Sequence, residues 1–193
     1  MRDIFVITGP SGVGKGTLID ALRERHPELR LTVSATTRAP RSGELDGRDY
    51  HFLTDQEFDR RLAAGEFIEH ALYAGHRYGT LRSELARASE GGHPAVLEIE
   101  VQGARQVHEA IPSALLVFIA PPSLEVLHAR LEDRGTDSEE TIARRLEAAK
   151  GEMEARSEFE FVIVNDLLER AVAELDQLYL SARNSDRAAG PLD

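Results

Sequence analysis

An apolar run, Ile4-Phe5-Val6-Ile7-Thr8, leads straight into Gly9-Pro10-Ser11-Gly12-Val13-Gly14-Lys15-Gly16-Thr17 and then into a stretch of helical character. Strand, glycine-rich loop and helix in that order is the setting in which successive backbone N–H groups turn toward one anion. The helix that follows adds the positive end of its dipole. The G-x-x-x-x-G-K spacing then places the charge of Lys15 where the β- and γ-phosphates of a nucleoside triphosphate would lie. The whole segment from Gly9 to Thr17 is therefore expected to bind a nucleoside triphosphate. Position 16 is Gly where the pattern asks for a hydroxyl, and the hydroxyl arrives one residue later at Thr17. Thr17 and the carboxylate of Glu98 are the candidate contacts for a magnesium ion carried by the nucleotide.

Further strand-like runs occur at 94–99, 114–119 and 161–164, separated by segments of helical period at 15–25, 103–110, 123–133, 138–156 and 167–181. This alternation predicts an α/β fold, a P-loop core whose central, mostly parallel five-stranded sheet is covered by helices. Residues 33–82 break the rhythm with turn chemistry, short alternating stretches and a capping-box spacing, Thr54-x-x-Glu57, that starts one helix. They are expected to be an insertion at the carboxyl edge of the sheet, beside the phosphate loop. The expected division is a single domain: core at about 1–32, 83–124 and 157–185, insertion at 33–82, helical lid at 125–156 and a flexible tail at 186–193. The apolar content already falls off from Ala182 onward.

Composition narrows the function. With 193 residues there is enough chain for one good-sized core. The formal net charge of −11 disfavours general binding to nucleic acid or an anionic membrane. Without an 18-residue apolar run or a basic-plus-apolar leader in the sequence, neither a membrane span nor a secretory signal is expected. The absence of cysteine excludes thiolate metal sites and fits the cytoplasm. The seven histidines lack the i, i+4 spacing of a zinc helix.

Within the insertion lie Ser34-Ala35-Thr36-Thr37-Arg38-Ala39-Pro40-Arg41-Ser42-Gly43-Glu44, Arg48-Asp49-Tyr50-His51-Phe52, Phe67-Ile68-Glu69 and Tyr78-Gly79-Thr80. Arg38 and Arg41 offer planar forks that match phosphate oxygens, and Tyr50 and Tyr78 add neutral donors. Read alone, the two arginines could equally be solvated or pair with Glu44. Glu69 alone could be an exposed strand carboxylate. These segments together resemble guanylate kinases, and with the phosphate loop, the lid and Asn165-Asp166 the resemblance covers nearly the whole chain. It implies ATP-dependent phosphorylation of GMP and dGMP in purine nucleotide metabolism. It also implies that Ser34, Arg38, Arg41, Glu44, Tyr50, Glu69, Tyr78, Thr80, Glu98 and Glu100 surround GMP. Guanine carries two adjacent donors, N1–H and the exocyclic amine, and one carboxylate can accept both. Its O6 is an acceptor suited to the hydroxyls that the family pattern supplies at Ser34 and Thr80.

Glu98 and Glu100 end a buried apolar strand next to the phosphate loop, where a carboxylate commonly orients magnesium and its waters. The family pattern usually has Asp at the position of Glu100, one methylene shorter. Arg130, Arg134 and Arg144-Arg145 resemble the family's cationic lid. Ile142, Leu146, Ala149 and Met153 form one apolar stripe, which places Arg145 about 70° from its centre and Arg144 about 170° away at roughly 100° per residue. Arg145 is therefore the expected phosphate contact, and Arg144 is expected to pair with Glu140. Lys15, Arg38, Arg134 and Arg145 form the expected catalytic set. Asn165 matches the adenine side, although an Asn-Asp pair opening a helix is by default a cap. The Gly16-Thr17 ending resembles adenylate kinases, which implies magnesium arriving as MgATP and resting mainly on phosphates and water, and it keeps another nucleoside monophosphate kinase as an alternative. A guanylate kinase-like protein-docking module and a GTPase switch are the other readings, disfavoured by the intact phosphate loop and by the lack of an Asn-Lys-x-Asp segment.

Overall fold

The apolar runs become strands and the helical periods become helices in a computed structural model that describes residues 3–133 and 139–188. The chain begins with β1 (Ile4–Thr8), α1 (Lys15–Arg25) and β2 (Arg30–Leu31). The inserted segment supplies β3 (Ala35–Thr36), β4 (His51–Phe52), α2 (Asp55–Ala63), β5 (Phe67–Tyr73) and β6 (His76–Leu81). The core resumes with α3 (Arg82–Ala88), β7 (Ala95–Glu98), α4 (Val101–Ala110) and β8 (Leu115–Ala120). Helices α5 (Leu124–Asp133) and α6 (Glu139–Glu154), strand β9 (Phe161–Val164) and helix α7 (Leu168–Ala188) complete it.

The core sheet has the order β2-β7-β1-β8-β9, and every pairing in it is parallel. Both faces are covered, which is why its strands read as unbroken apolar runs. Phe5, Val6 and Ile7 of β1 are buried, as are Val96, Leu97, Val117, Phe118 and Ile119 of its neighbours. Each such side chain contributes about 1.5–3 kcal/mol by leaving water. The register sets Ile7 beside Glu98, so the phosphate loop and the carboxylates after β7 leave the sheet side by side. This is the carboxyl edge at which open α/β sheets bind ligands.

The insertion has its own sheet, in the order β4-β3-β6-β5, over a small core of Ala35, Phe58, Phe67 and Leu81. Helix α2 starts as its capping spacing requires, with Thr54 Oγ1 accepting from the Glu57 N–H at 3.1 Å. Phe58 and Phe67 stack at 4.4 Å between ring centres. Two elements escaped the periodicity reading. The two-residue β2 is too short to carry a pattern. Helix α3 follows the hairpin without a side-chain cap at its N-terminus.

Helix α7 runs on to Ala188, past the point where bulky apolar residues stop. The expected tail at 186–193 is corrected accordingly: 186–188 are helical, and 189–193 lie outside the described residues. No helix among the described residues is long and apolar enough to cross a membrane.

Candidate active site

The loop between β1 and α1 winds through positive φ at Gly12 and Gly14, at 87° and 97°, a region closed to most side chains. Space excludes side chains there as well. A Cβ on Gly14 would lie 2.7 Å from Asn165 Nδ2, and one on Gly12 equally close to Leu131 Cδ2. Gly14 caps α1 without a side-chain hydrogen bond, and the first turn of that helix holds no acidic residue. Its N–H groups and dipole thus stay available to an anion. Lys15 is buried, and its Nζ donates to Gly9 O at 2.6 Å and to Pro10 O at 3.2 Å. The outer wall of the loop is held from the last core strand, where Asn165 Nδ2 donates to Val13 O at 2.8 Å. Arg130 braces the same place, donating to Val13 O at 3.3 Å and to Asn165 O at 2.9 Å. Both residues therefore support the loop from behind and do not line the cleft in front of it.

That cleft has a volume of about 290 Å³ and runs from Ser11, Gly12, Gly14, Lys15 and Gly16 across to Ser34, Arg38, Arg41, Tyr50 and Glu69, with Tyr78, Glu98, Glu100 and Arg145 along its walls. Segments as far apart in sequence as Ser11 and Arg145 are thus joined into one concave site. Thr17 is exposed and lies outside the lining, whereas Gly16 lies within it. A Cβ on Gly16 would stand 3.8 Å from Glu98 Oε2. The described residues contain no cluster of three or more His, Cys, Asp or Glu able to hold a metal ion by themselves. Such a lining fits a magnesium ion that would bring most of its ligands with the nucleotide, and Glu98, beside Gly16, is a carboxylate that would be within its reach.

At the far end, Arg38, Tyr50 and Tyr78 converge. The Arg38 guanidinium lies 5.3 Å from the centre of the Tyr50 ring, and Tyr50 meets Tyr78 edge-on at 6.1 Å. Glu44 does not face the cleft but grips Arg38 at 2.9 Å and accepts from the Arg41 N–H at 2.7 Å. Register places Glu69 of β5 directly opposite Thr80 of β6. Both are buried, and among the described residues neither Glu69 Oε1 nor Thr80 Oγ1 meets a hydrogen-bond partner of good geometry. Burial raises the Glu69 carboxyl above the ordinary carboxylate range, against an opposing pull from Thr80, and the charge of Glu100 adds to the rise.

Arg145 reaches the cleft, while Arg144 lies on the outer face of α6, 3.7 Å from Glu140. Arg134 lies outside the described residues. Two groups were missed in the sequence. Burial raises Tyr73 on β5 to about 12, with Ser11, Glu100, Glu152 and Arg145 around it. Burial next to Glu100 raises Glu152 on α6 to about 9. The signal for Glu152 was its position seven residues after Arg145, two turns along the same helix face.

A phosphate loop at the edge of a parallel sheet, facing a second pocket of arginines and tyrosines, defines a P-loop nucleotide kinase with an inserted acceptor site. The chain belongs to the guanylate kinase family, whose model matches residues 1–182, and it is an enzyme of that class. It is 54% identical over 172 residues to a guanylate kinase of Synechococcus sp. (strain CC9311), covering 89% of this chain and 90% of the relative. It is 54% identical over 179 residues to one of Frankia casuarinae, covering 93% and 97%. The crystal structure of guanylate kinase from Anaplasma phagocytophilum superposes with a TM-score of 0.74 at 31% identity, over 94% of this chain and 85% of that one.

Proposed function

We propose that the chain transfers the γ-phosphoryl group of ATP to GMP, with dGMP as a second acceptor and magnesium carried in on the nucleotide. The observation that carries the guanine assignment is the buried Glu69 carboxylate, which lines the same cleft as the phosphate loop and stands opposite Thr80 in the β5–β6 ladder. The Glu69 carboxylate accepts N1–H and the exocyclic amine of guanine, and the Ser34 and Thr80 hydroxyls donate to O6. A pocket built around such groups rejects adenine, which would leave them buried and unpaired.

ATP lies along Gly9 to Thr17, its phosphates received by the N–H groups at the head of α1. Lys15 Nζ exchanges its loop carbonyls for phosphate oxygens. Arg38, Arg41, Tyr50 and Tyr78 hold the GMP phosphate, and Glu44 holds Arg38. Glu98 is the residue that would orient magnesium, which when bound neutralises charge on the phosphates. The acceptor is a phosphate monoester with a second pKa of about 6, so it is already an oxyanion near neutral pH and needs no general base. Lys15, Arg38, Arg134 and Arg145 balance the charge spread over the transferring group, and closure of insertion and lid keeps water out.

The test is ADP formation from MgATP with GMP, dGMP, AMP, UMP and CMP offered separately. Turnover confined to GMP and dGMP supports both phosphate sites and the guanine reader. Comparable turnover with AMP removes Glu69 as the base reader. No turnover with any acceptor, in folded protein, moves the docking-module reading to first place.

A further inference from the structure

Glu69 sits on the insertion, yet the surface behind its carboxylate belongs to the core. Strand β5 carries a bulge between Phe67 and Glu69, and three consecutive side chains are buried there. Phe67 joins the small core of the insertion, Ile68 packs with Leu97, Ile99 and Val101 on one side of the core sheet's apolar interior, and Glu69 turns toward the cleft. A bulge of this kind re-aims a side chain. The shift falls just before Glu69, which pairs with Thr80 where the regular ladder resumes.

Strand β5 is the last of its sheet, and helix α4 lies along its open edge. Gln106 Oε1 accepts from the His70 N–H at 3.1 Å, and Gln106 Nε2 donates to His70 O at 2.7 Å. The same nitrogen also lies 3.2 Å from Gln102 O, which holds the amide in place on its own helix. The side chain thus pairs with both backbone groups of the residue after Glu69, as a neighbouring strand would. One turn earlier on the same face stands Gly103. A Cβ there would overlap Glu69 Oε2 and come within 2.9 Å of Cδ. The carboxylate is therefore seated in a notch in the core helix and locked along the strand by Gln106.

We propose that Gln106 is a positioning residue for guanine selection, holding the Glu69 carboxylate in the notch at Gly103. The inference rests on the reading that Glu69 contacts the base. Its consequence is that acceptor specificity depends on a core helix and not on the inserted sheet alone.

The experiment compares Gln106→Met, Glu69→Gln, their double variant and wild type for KM and kcat with GMP, AMP and ATP, with melting temperature as a check on folding. Methionine keeps the length and packing of glutamine and removes both hydrogen bonds. Expected for Gln106→Met is a rise of about tenfold in KM for GMP, a matching loss of GMP-over-AMP preference and a KM for ATP within about twofold of wild type. The double variant is expected to lose no more preference than Glu69→Gln alone, because the two changes act through one carboxylate.

If Glu69→Gln erodes preference and Gln106→Met does not, the positioning inference is overturned while the base reader stands. If Glu69→Gln leaves preference intact, the reader itself fails and the inference falls with it. Equal losses toward ATP and GMP in Gln106→Met would mark a general structural role and overturn it too. Should Gln106→Met not fold, Gln106→Glu retains the acceptor and loses the donor, and an unchanged KM for GMP in that variant would sink the proposal.

Discussion

Arg38 and Glu44 meet at 2.9 Å across the turn that opens the inserted sheet, both side chains largely shielded from water. Glu44 also accepts from the backbone of Arg41, so one carboxylate sets the direction of one guanidinium and the course of the loop carrying a second. The pairing lowers the Glu44 carboxyl and raises the Arg38 guanidinium, each chiefly through their shared hydrogen bond. A cation held this way is already oriented when an anion arrives.

Replacing Glu44 with Gln is expected to raise KM for GMP about five- to tenfold, the scale of one lost charge-assisted hydrogen bond moderated by partial exposure. KM for ATP should not move. Steady-state kinetics with each substrate varied in turn checks this, and an equal change in both constants would mean that Glu44 does not act through Arg38.

Lys15→Met should lower kcat by about 10²-fold or more, as removal of a preorganised charge from a transferring phosphoryl group commonly does. The ammonium donates only within its own loop, to the carbonyls of Gly9 and Pro10, so its loss should cost about 1–3 kcal/mol of stability and leave the acceptor pocket folded. Calorimetric binding of GMP to the variant should remain measurable, and near-normal turnover would refute the loop assignment.

Asn165→Ala removes the donor that holds Val13 O from the last core strand. Loss of a buried hydrogen bond costs about 1–3 kcal/mol, and Arg130 remains as a second, longer brace. Stability should fall by an amount in that range in urea titrations, and KM for ATP should rise while KM for GMP stays level. Preserved stability with a raised KM for ATP would instead indicate direct contact with the nucleotide.

Glu152 gives a pH-dependent prediction. Burial, reinforced by Glu100, holds its carboxyl up at about 9 against an ordinary 4.5. Below the ordinary value the group is protonated in folded and unfolded chains alike and contributes nothing. Between the two values the unfolded chain has released the proton and the folded chain retains it, so stability declines as pH rises and levels off above the folded value. Glu152→Gln cannot ionise and escapes this loss. Its melting temperature relative to wild type should therefore climb between about pH 5 and about pH 8.5, by roughly 3 °C or more for a domain of this size. A constant difference across that range would count against the buried, protonated carboxyl.

Local chemistry wrote much of this protein into its sequence. The phosphate loop, the capped start of α2, the apolar core strands and the choice of Arg145 over Arg144 all depend on neighbours within a few residues, where period and spacing carry the physics. The pairing of Arg38 with Glu44 was also visible as one of two options, but only the fold chose between them. Other features arise where distant segments meet. The Glu69–Thr80 register, the brace of Asn165 and Arg130 behind Val13, the Glu100–Glu152 contact and the seat of Glu69 in helix α4 each join parts of the chain that no short pattern connects. Burial and direction belong to the packed molecule. For that reason the sequence determined which groups have the chemistry to meet phosphate and purine, while the tertiary structure decided which of them face the cleft and which hold the others in place.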